Sequence, residues 1–162
     1  MTDAAAYDRP LTELLTRTVT TLEAGKARDE ALGAWKPTRK FIPSQPTLVP
    51  VGRAWRLGSL LLSRDARLFR TGSVTRAIQP KEFLADKSLA AEARRDEQRA
   101  AARGPFFTGD IVNFDFEELH LGDPDRALHL DADGHIIYRE RVDELRLDRY
   151  LADRAQLLVD AT

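Results

Sequence analysis

Two short apolar segments, each interrupted by a polar turn, most constrain how this chain can fold. They are LLLSRDARLF at residues 60–69 and LHLDADGHII at residues 128–137. In each segment an apolar run of strand length leads into a turn with Asp in its third place, and a second apolar run follows. This pattern is typical of a β-hairpin. We therefore expect an antiparallel or mixed sheet in which these two hairpins supply most of the strands.

The two hairpins differ in how their apolar residues alternate. In the first, over residues 53–78, apolar residues occupy both parities, which predicts strands that are covered on both faces. In the second, Gly134 supplies the left-handed residue of the turn. The alternation there predicts an inward face of Leu128, Leu130, Ile136 and Tyr138, and an outward face of His129, Asp131, His135, Ile137 and Arg139.

One further strand and three helices complete the predicted fold. Residues 110–116 alternate cleanly, with Val112, Phe114 and Phe116 on one face and Ile111, Asn113 and Asp115 on the other. Apolar residues at helical spacing predict helices over residues 10–32, 81–103 and 142–161. The fold class that we expect is α+β: two hairpins and an extra strand form the sheet, and about three helices pack on it.

A proline-rich segment over residues 33–52 interrupts this order. Its four prolines each remove a backbone donor and push the preceding residue toward extended geometry. Because it also holds Trp35, Phe41 and Ile42, it is too apolar for a free linker, and we interpret it as an extended arm on the domain surface or against a partner. We expect the arm to belong to a single domain covering residues 1–162.

The composition excludes several classes of protein. There is no cysteine, which rules out disulfide scaffolds and thiolate chemistry. The first residues lack the basic and apolar regions of a signal peptide, and the longest apolar run, at residues 60–62, is far too short to span a bilayer. We therefore expect a cytoplasmic protein without a membrane partner. The excess of arginine over lysine and the frequent alanine indicate a bacterial origin.

Charge divides the chain into a basic and an acidic part. Residues 1–80 carry 13 Lys or Arg against 7 Asp or Glu, whereas residues 104–162 carry 6 against 14. Opposite charges of this kind favour self-association or docking to a protein partner. They are equally compatible with neutralisation inside one chain.

The basic part contains a candidate anion-binding surface. Five arginines on or beside the first hairpin could contact phosphates, and nearby aromatic rings could stack on bases: Arg53, Arg56, Arg67, Arg70 and Arg76. The segment 71–76 also places hydroxyl groups, a glycine and an arginine together, as an anion pocket would. This pattern favours nucleic acid or a phosphorylated small molecule as ligand, although strand aromatics are more often core and a strand glycine more often marks a bulge.

The second hairpin contains a candidate metal site. His129, Asp131 and His135 share its predicted outward face, and His120 lies nearby in the sequence. Imidazole nitrogens with a carboxylate are ligands that Zn²⁺ and other first-row metals take. This reading predicts a metal-dependent enzyme with a bound water as nucleophile. A solvated sheet face is the plainer interpretation of the same residues.

No catalytic motif appears in the sequence. The Gly58-Ser59 and Gly72-Ser73 dipeptides lack the G-x-S-x-G pattern of a nucleophile elbow, so we assign no catalytic residue and expect no cofactor. The interpretation that we favour is a non-catalytic binding or assembly module that forms a homodimer. Anion recognition by the arginine-rich hairpin is the first alternative, and the metal-dependent enzyme is the second.

Overall fold

The computed structural model describes residues 8–81 and 87–162 of the chain. These residues form three helices, α1 (Arg9–Ala24), α2 (Leu89–Arg103) and α3 (Leu147–Asp160). They also form ten strands: β1 (Glu30–Trp35), β2 (Leu48–Leu57), β3 (Leu60–Ser63), β4 (Leu68–Arg70), β5 (Ser73–Arg76), β6 (Ile111–Phe114), β7 (Glu117–Glu118), β8 (Leu128–Leu130), β9 (Ile136–Glu140) and β10 (Asp143–Arg146). Within the described ranges, no helix has the length and apolar character needed to cross a membrane.

The chain divides into two compact units, and each is assembled from separate segments. The first unit contains the residues up to Asp29 together with Ala54–Arg70 and Glu117–Thr162. The second contains Glu30–Arg53 and Thr71–Phe116. Strand β2 passes from the second unit into the first between Arg53 and Ala54. A single domain over residues 1–162 stays a prediction.

The first unit combines helices α1 and α3 with antiparallel strands. Strands β2, β3, β4 and β7 are neighbours in that order, and β10, β9 and β8 form a separate three-stranded sheet. The core contains Trp55, whose indole Nε1 donates to the Ala27 carbonyl at 3.0 Å. Leucines of α1 and β3 and Tyr138 of β9 are buried in the same cluster. The hydrogen bond lets the large indole be buried without leaving a donor unpaired.

The second unit is a mixed sheet covered by helix α2. Its strand order is β5-β6-β1-β2, with β1 parallel to β6 and β5 antiparallel to β6. Helix α2 packs on β5, and its Ala100 and Ala101 belong to the same buried cluster as Val112 and Phe114 of β6. Alanine on the buried stripe lets the helix lie close to the sheet, which leaves its longer polar side chains on its flanks.

The expected α+β fold class is confirmed, and the count of hairpins is approximate. The turn at residues 63–66 is present between β3 and β4, and the turn before Gly134 joins β8 to β9. A second turn at Gly58-Ser59 separates β2 from β3, so the first hairpin is really three antiparallel strands followed by β5. Leu60, Leu61 and Leu62 are all fully buried, which agrees with strands that are covered on both faces.

The structure places the ends of the three helices differently from the ends predicted from the sequence. The first helix ends at Ala24, because Gly25 and Lys26 form a turn with a positive φ of 52° at Lys26, and Glu30–Trp35 is a strand. The last helix begins at Leu147 because Asp143–Arg146 pairs with β9. The middle helix begins at Leu89 after the cap Ser88, and the predicted part at 82–86 lies outside the described residues.

Two predictions about the second hairpin and the extra strand were also wrong. Leu130 is 39% exposed because it ends the edge strand β8, whereas Ile137 is 9% exposed because β9 is the central strand of its sheet. Asn113, which the alternation places on the face opposite the apolar residues Val112 and Phe114, is also buried, and its amide donates to Glu30 Oε2 at 2.7 Å. The proline-rich arm contributes its two ends to β1 and β2, and only residues 36–47 form a loop between them.

Candidate functional site

Two of the five arginines expected to bind anions are engaged by carboxylates of their own unit. Arg67 donates to both oxygens of Glu118, at 2.9 and 2.6 Å. Arg70 donates to Glu117 at 2.6 Å and to Asp125 at 2.9 Å. The hydrogen bond from Arg67 lowers the pKa of Glu118 below its ordinary value. These guanidinium groups are largely neutralised within the fold, so they are poor candidates for holding a ligand.

The other three arginines have different surroundings. Arg53 lies 3.7 Å from Asp110, and Arg56 also has an interaction within the fold. Arg76 is exposed on β5 and makes no ion pair or side-chain hydrogen bond with any residue in the described ranges. Of the five, Arg76 is therefore the arginine whose charge remains available.

Arg76 borders a cavity of about 350 Å³ between strand β5 and helix α2. We call this cavity the β5–α2 groove. Val74 and Thr75 point to opposite faces of β5, since successive side chains alternate along a strand. A cavity that touches both residues therefore reaches both faces of the strand. The groove is lined by Val74, Thr75, Arg76, Arg94, Glu97, Gln98 and Ile111.

Helix α2 places three polar side chains on the flank that faces this groove. Arg94, Glu97 and Gln98 follow the i, i+3, i+4 spacing that brings side chains to one side of a helix. The helix begins with a cap in which Ser88 Oγ accepts the backbone N–H of Ala91 at 3.2 Å. Its alanine stripe against the sheet fixes the rotation of the helix, and with it the position of this flank.

Arg94 differs from the other arginines of α2 in having no partner within the described part of the chain. Arg95 and Arg99 donate to Glu92, at 2.7 and 3.2 Å. Arg103 donates to the Pro46 carbonyl. The groove thus combines two guanidinium groups that have no partner among the described residues, those of Arg76 and Arg94, with the carboxylate of Glu97. Its polar lining can hold a negatively charged ligand.

The segment 71–76 does not form the anticipated pocket ahead of a helix. Ser73–Arg76 is strand β5, and helix α2 begins at Leu89. A Cβ at Gly72 would meet the backbone carbonyl of Asp115, so this glycine permits a close approach of two backbones. Of the residues proposed there, Thr75 and Arg76 line the groove.

The predicted metal ligands are brought together in part. Asp131 and His135 are adjacent, with Asp131 Oδ2 at 3.1 Å from His135 Nδ1, and Asp133 joins them. His129 lies outside this group, with its Nε2 3.6 Å from Glu144. His120, the third histidine of that region, lies 3.9 Å from Glu118.

Asp131 has a structural role that accounts for this cluster. Its Oδ1 accepts the backbone N–H groups of Asp133 at 2.9 Å and His135 at 2.8 Å, which closes the turn between β8 and β9. The hydrogen bond from the His135 amide is the main cause that lowers the pKa of the Asp131 carboxyl, and the bond from the Asp133 amide acts in the same direction. The cluster therefore stabilises a hairpin, and its geometry alone does not indicate a metal.

A second cavity in the same unit, of about 450 Å³, is lined by Trp35, Pro46 and residues of α2 that include Glu97, which also lines the groove. The ring of Trp35 meets Phe114 edge-on, with centroids 5.5 Å apart. The cations of this cavity, Arg99 and Arg103, are already bound to Asp96 and Pro46. It offers fewer available polar groups than the β5–α2 groove.

Arg94 and Gln98 were not among the site residues predicted from the sequence. A signal was present, because the helix around them has alanine on one side and polar residues at i, i+3 and i+4 on another. The position of this flank beside β5 depends on contacts distant in sequence, which local patterns do not reveal.

Comparison of the chain with family models, curated proteins and solved structures finds no match.

Proposed function

We propose that this protein is a non-catalytic binding module whose β5–α2 groove holds an acidic ligand. The observation that carries the proposal is the presence of two guanidinium groups without described carboxylate partners, those of Arg76 and Arg94, on opposite walls of one groove. Charge-assisted hydrogen bonds from guanidinium to carboxylate are among the stronger polar contacts in proteins.

The composition of the groove supports binding. Its lining includes no histidine, and all three histidines of the chain belong to the first unit. Val74 and Ile111 add apolar surface beside the charged groups. The sequence of the second unit carries 11 Lys or Arg against 8 Asp or Glu, so the wider surface also favours an acidic ligand.

The proposal is tested with a capped acidic peptide, acetyl-Glu-Glu-Val-Glu-Glu-amide, by isothermal titration calorimetry. We expect binding that weakens between about 50 and about 300 mM NaCl, because salt screens exposed charges. We expect Arg76→Glu and Arg94→Glu each to weaken it about tenfold, since reversal replaces attraction by repulsion. Arg17→Glu on α1 is the matched control, because it makes the same change of charge at another exposed arginine.

Two results would contradict this function. One is an affinity that does not depend on salt. The other is an equal affinity of the Arg76→Glu and Arg17→Glu variants, because this would show that the peptide responds only to the overall charge of the protein.

A second candidate is self-association through the loop at residues 36–47. Its basis is the exposure of two adjacent large apolar side chains, Phe41 at 94% and Ile42 at 57%. Exposed apolar surface of this kind favours an interface. We propose that a second copy of the chain covers these two side chains. We also propose that the protein acts in the cytoplasm, where a chain without cysteine is ordinary.

A further inference from the structure

Strand β5 has an outer edge that no strand within the described residues pairs with. It is the terminal strand of the order β5-β6-β1-β2, and its partner β6 lies on one side only. An unpaired edge presents backbone N–H and C=O groups that can bind another strand. The β5–α2 groove reaches both faces of β5, since Val74 and Thr75 both line it.

The hydrogen bonds next to β5 indicate which backbone groups face outward. Ala77 donates its N–H to the Asp110 carbonyl at 3.0 Å, and its own carbonyl accepts the N–H of Gly109 at 2.9 Å. The direction in which the backbone N–H and C=O groups point alternates along an antiparallel strand. The backbone groups of Thr75 therefore also point toward β6, whereas those of Val74 and Arg76 point toward the outer edge. The Arg76 carbonyl accordingly accepts the N–H of Ile78 at 2.9 Å rather than one from β6.

The side chains around the edge define what a bound strand would carry. A residue opposite Val74, which is 50% exposed, would meet an apolar side chain. A residue opposite Arg76 would meet a guanidinium on the same face. Thr75 lies opposite Val112, which belongs to the core under α2, so a residue opposite Thr75 would face the flank of α2 with Arg94. Along the direction of β5, a bound strand is therefore expected to carry an apolar residue opposite Val74 and acidic residues opposite Thr75 and Arg76.

We infer that an extended acidic segment of a partner protein adds to β5 as a further strand and fills the β5–α2 groove. This inference rests on the proposed binding function and specifies its ligand. Main-chain hydrogen bonds to Val74 and Arg76 supply affinity, and the two arginines select acidic side chains. The partner is recognised by its extended backbone and by its charge together.

A second copy of this chain fits the edge less well. Strand β5 has four residues, so it is roughly 13 Å long, and pairing two copies of it would bury far less than the ~800 Å² per partner of a stable interface. It would also bring Arg76 and Arg94 of both copies to the same short edge, where their charges repel. A short acidic peptide avoids both difficulties.

The experiment is a nuclear magnetic resonance titration of the ¹⁵N-labelled protein with acetyl-Glu-Glu-Val-Glu-Glu-amide. This peptide presents the same side chains in either strand direction, so the test does not depend on the direction of binding. We expect the amide signals of Val74 and Arg76 to shift, since these N–H groups acquire acceptors. We expect the same peptide with methylated backbone nitrogens to bind at least about tenfold more weakly, because it keeps the charges and loses its donors.

A variant of the protein tests the same contact from the other side. Val74→Pro removes the outward N–H and leaves the bonds from Thr75 to β6, because proline is tolerated where an edge strand faces solvent. We expect it to weaken binding about fivefold relative to Val74→Ala, which removes the apolar contact but keeps the N–H. Amide signals of β6 that keep their positions show that the sheet is intact.

The outcomes separate the two proposals. If the methylated peptide binds as tightly as its parent and Arg76→Glu weakens both, acidic binding stands and strand addition is wrong. If the parent peptide does not bind at millimolar concentration, or if a peptide with lysine in place of glutamate binds equally well, both proposals are overturned. If Val74→Pro converts a dimer into a monomer, the edge is occupied by a second copy and the inference fails.

Discussion

Arg67 and Arg76 have the same charge and lie nine positions apart, yet their environments give them different roles. The guanidinium of Arg67 donates two hydrogen bonds to the carboxylate of Glu118, through Nε and Nη2. Arg76 has no such partner among the residues that the structure describes. A guanidinium that is already bound to a carboxylate contributes to stability and has little to offer a ligand. Sequence patterns cannot make this distinction, because Glu118 is 51 positions away from Arg67.

We expect Arg67→Gln to lower the free energy of unfolding by about 0.5 kcal/mol, the value for a mostly exposed pair. Because Arg67 lowers the pKa of Glu118, its contribution is present above the pKa of the unfolded carboxyl and is lost as pH falls through the lowered folded pKa. Urea unfolding of the wild type and the variant should differ most above about pH 5 and converge in acid. A difference that grows in acid, or a loss of affinity for the acidic peptide, would contradict this role.

At the scale of elements, the sequence identified most helices and strands and misplaced several of their ends. The buried face of α1 agrees with the predicted spacing, with Leu11, Leu14, Leu15, Thr18, Val19 and Leu22 all buried. Its predicted end at residue 32 was wrong because residues 26–32 contain no proline or glycine that would stop a helix, although the strand β1 begins at Glu30. Strand β10 falls inside the helix predicted over residues 142–161, because its pairing with β9 is a tertiary contact that local spacing does not reveal.

The Gly58-Ser59 turn is an element that local chemistry does predict. A glycine-serine pair between two strand-like runs is a hairpin signal, although the predicted first hairpin did not include a turn at this dipeptide. In the structure Gly58 has a φ of +65°, and the Ser59 amide donates to the Tyr150 hydroxyl at 3.0 Å. The positive φ at the first turn residue alone matches a type II′ turn.

We expect Gly58→Ala to destabilise this turn by about 1–3 kcal/mol. The alanine Cβ would disfavour the positive φ and would meet the Tyr150 hydroxyl, which must then shift away from Ser59. The measurement is the free energy of urea unfolding, with Gly134→Ala as control, because Gly134 also has a positive φ but has open space around it. Equal losses in the two variants would show that φ strain alone determines the cost.

At the scale of the whole molecule, the sequence could not show how its segments combine. Each compact unit is built from segments that are separated by residues of the other unit, so the division at Arg53 and Ala54 falls inside one strand and leaves no linker to recognise. The groove depends on the same kind of long-range arrangement, since β5 and α2 are adjacent in space and separated in sequence. Composition and charge drew attention to five arginines, and Arg76 is the one of the five that lines the groove.

The oligomeric state is the property of the whole molecule that bears most directly on function, and we expect a homodimer formed through the loop at residues 36–47. Native mass spectrometry at micromolar concentration and moderate salt should give twice the chain mass of 18.2 kDa. The double variant Phe41→Ser and Ile42→Ser should be monomeric, because it removes the exposed apolar surface of the loop. The matched control replaces Val142 and Leu157, two exposed apolar residues of the other unit, by serine and should remain dimeric. A monomeric wild type would disprove the dimer, and a control that is also monomeric would place the interface elsewhere.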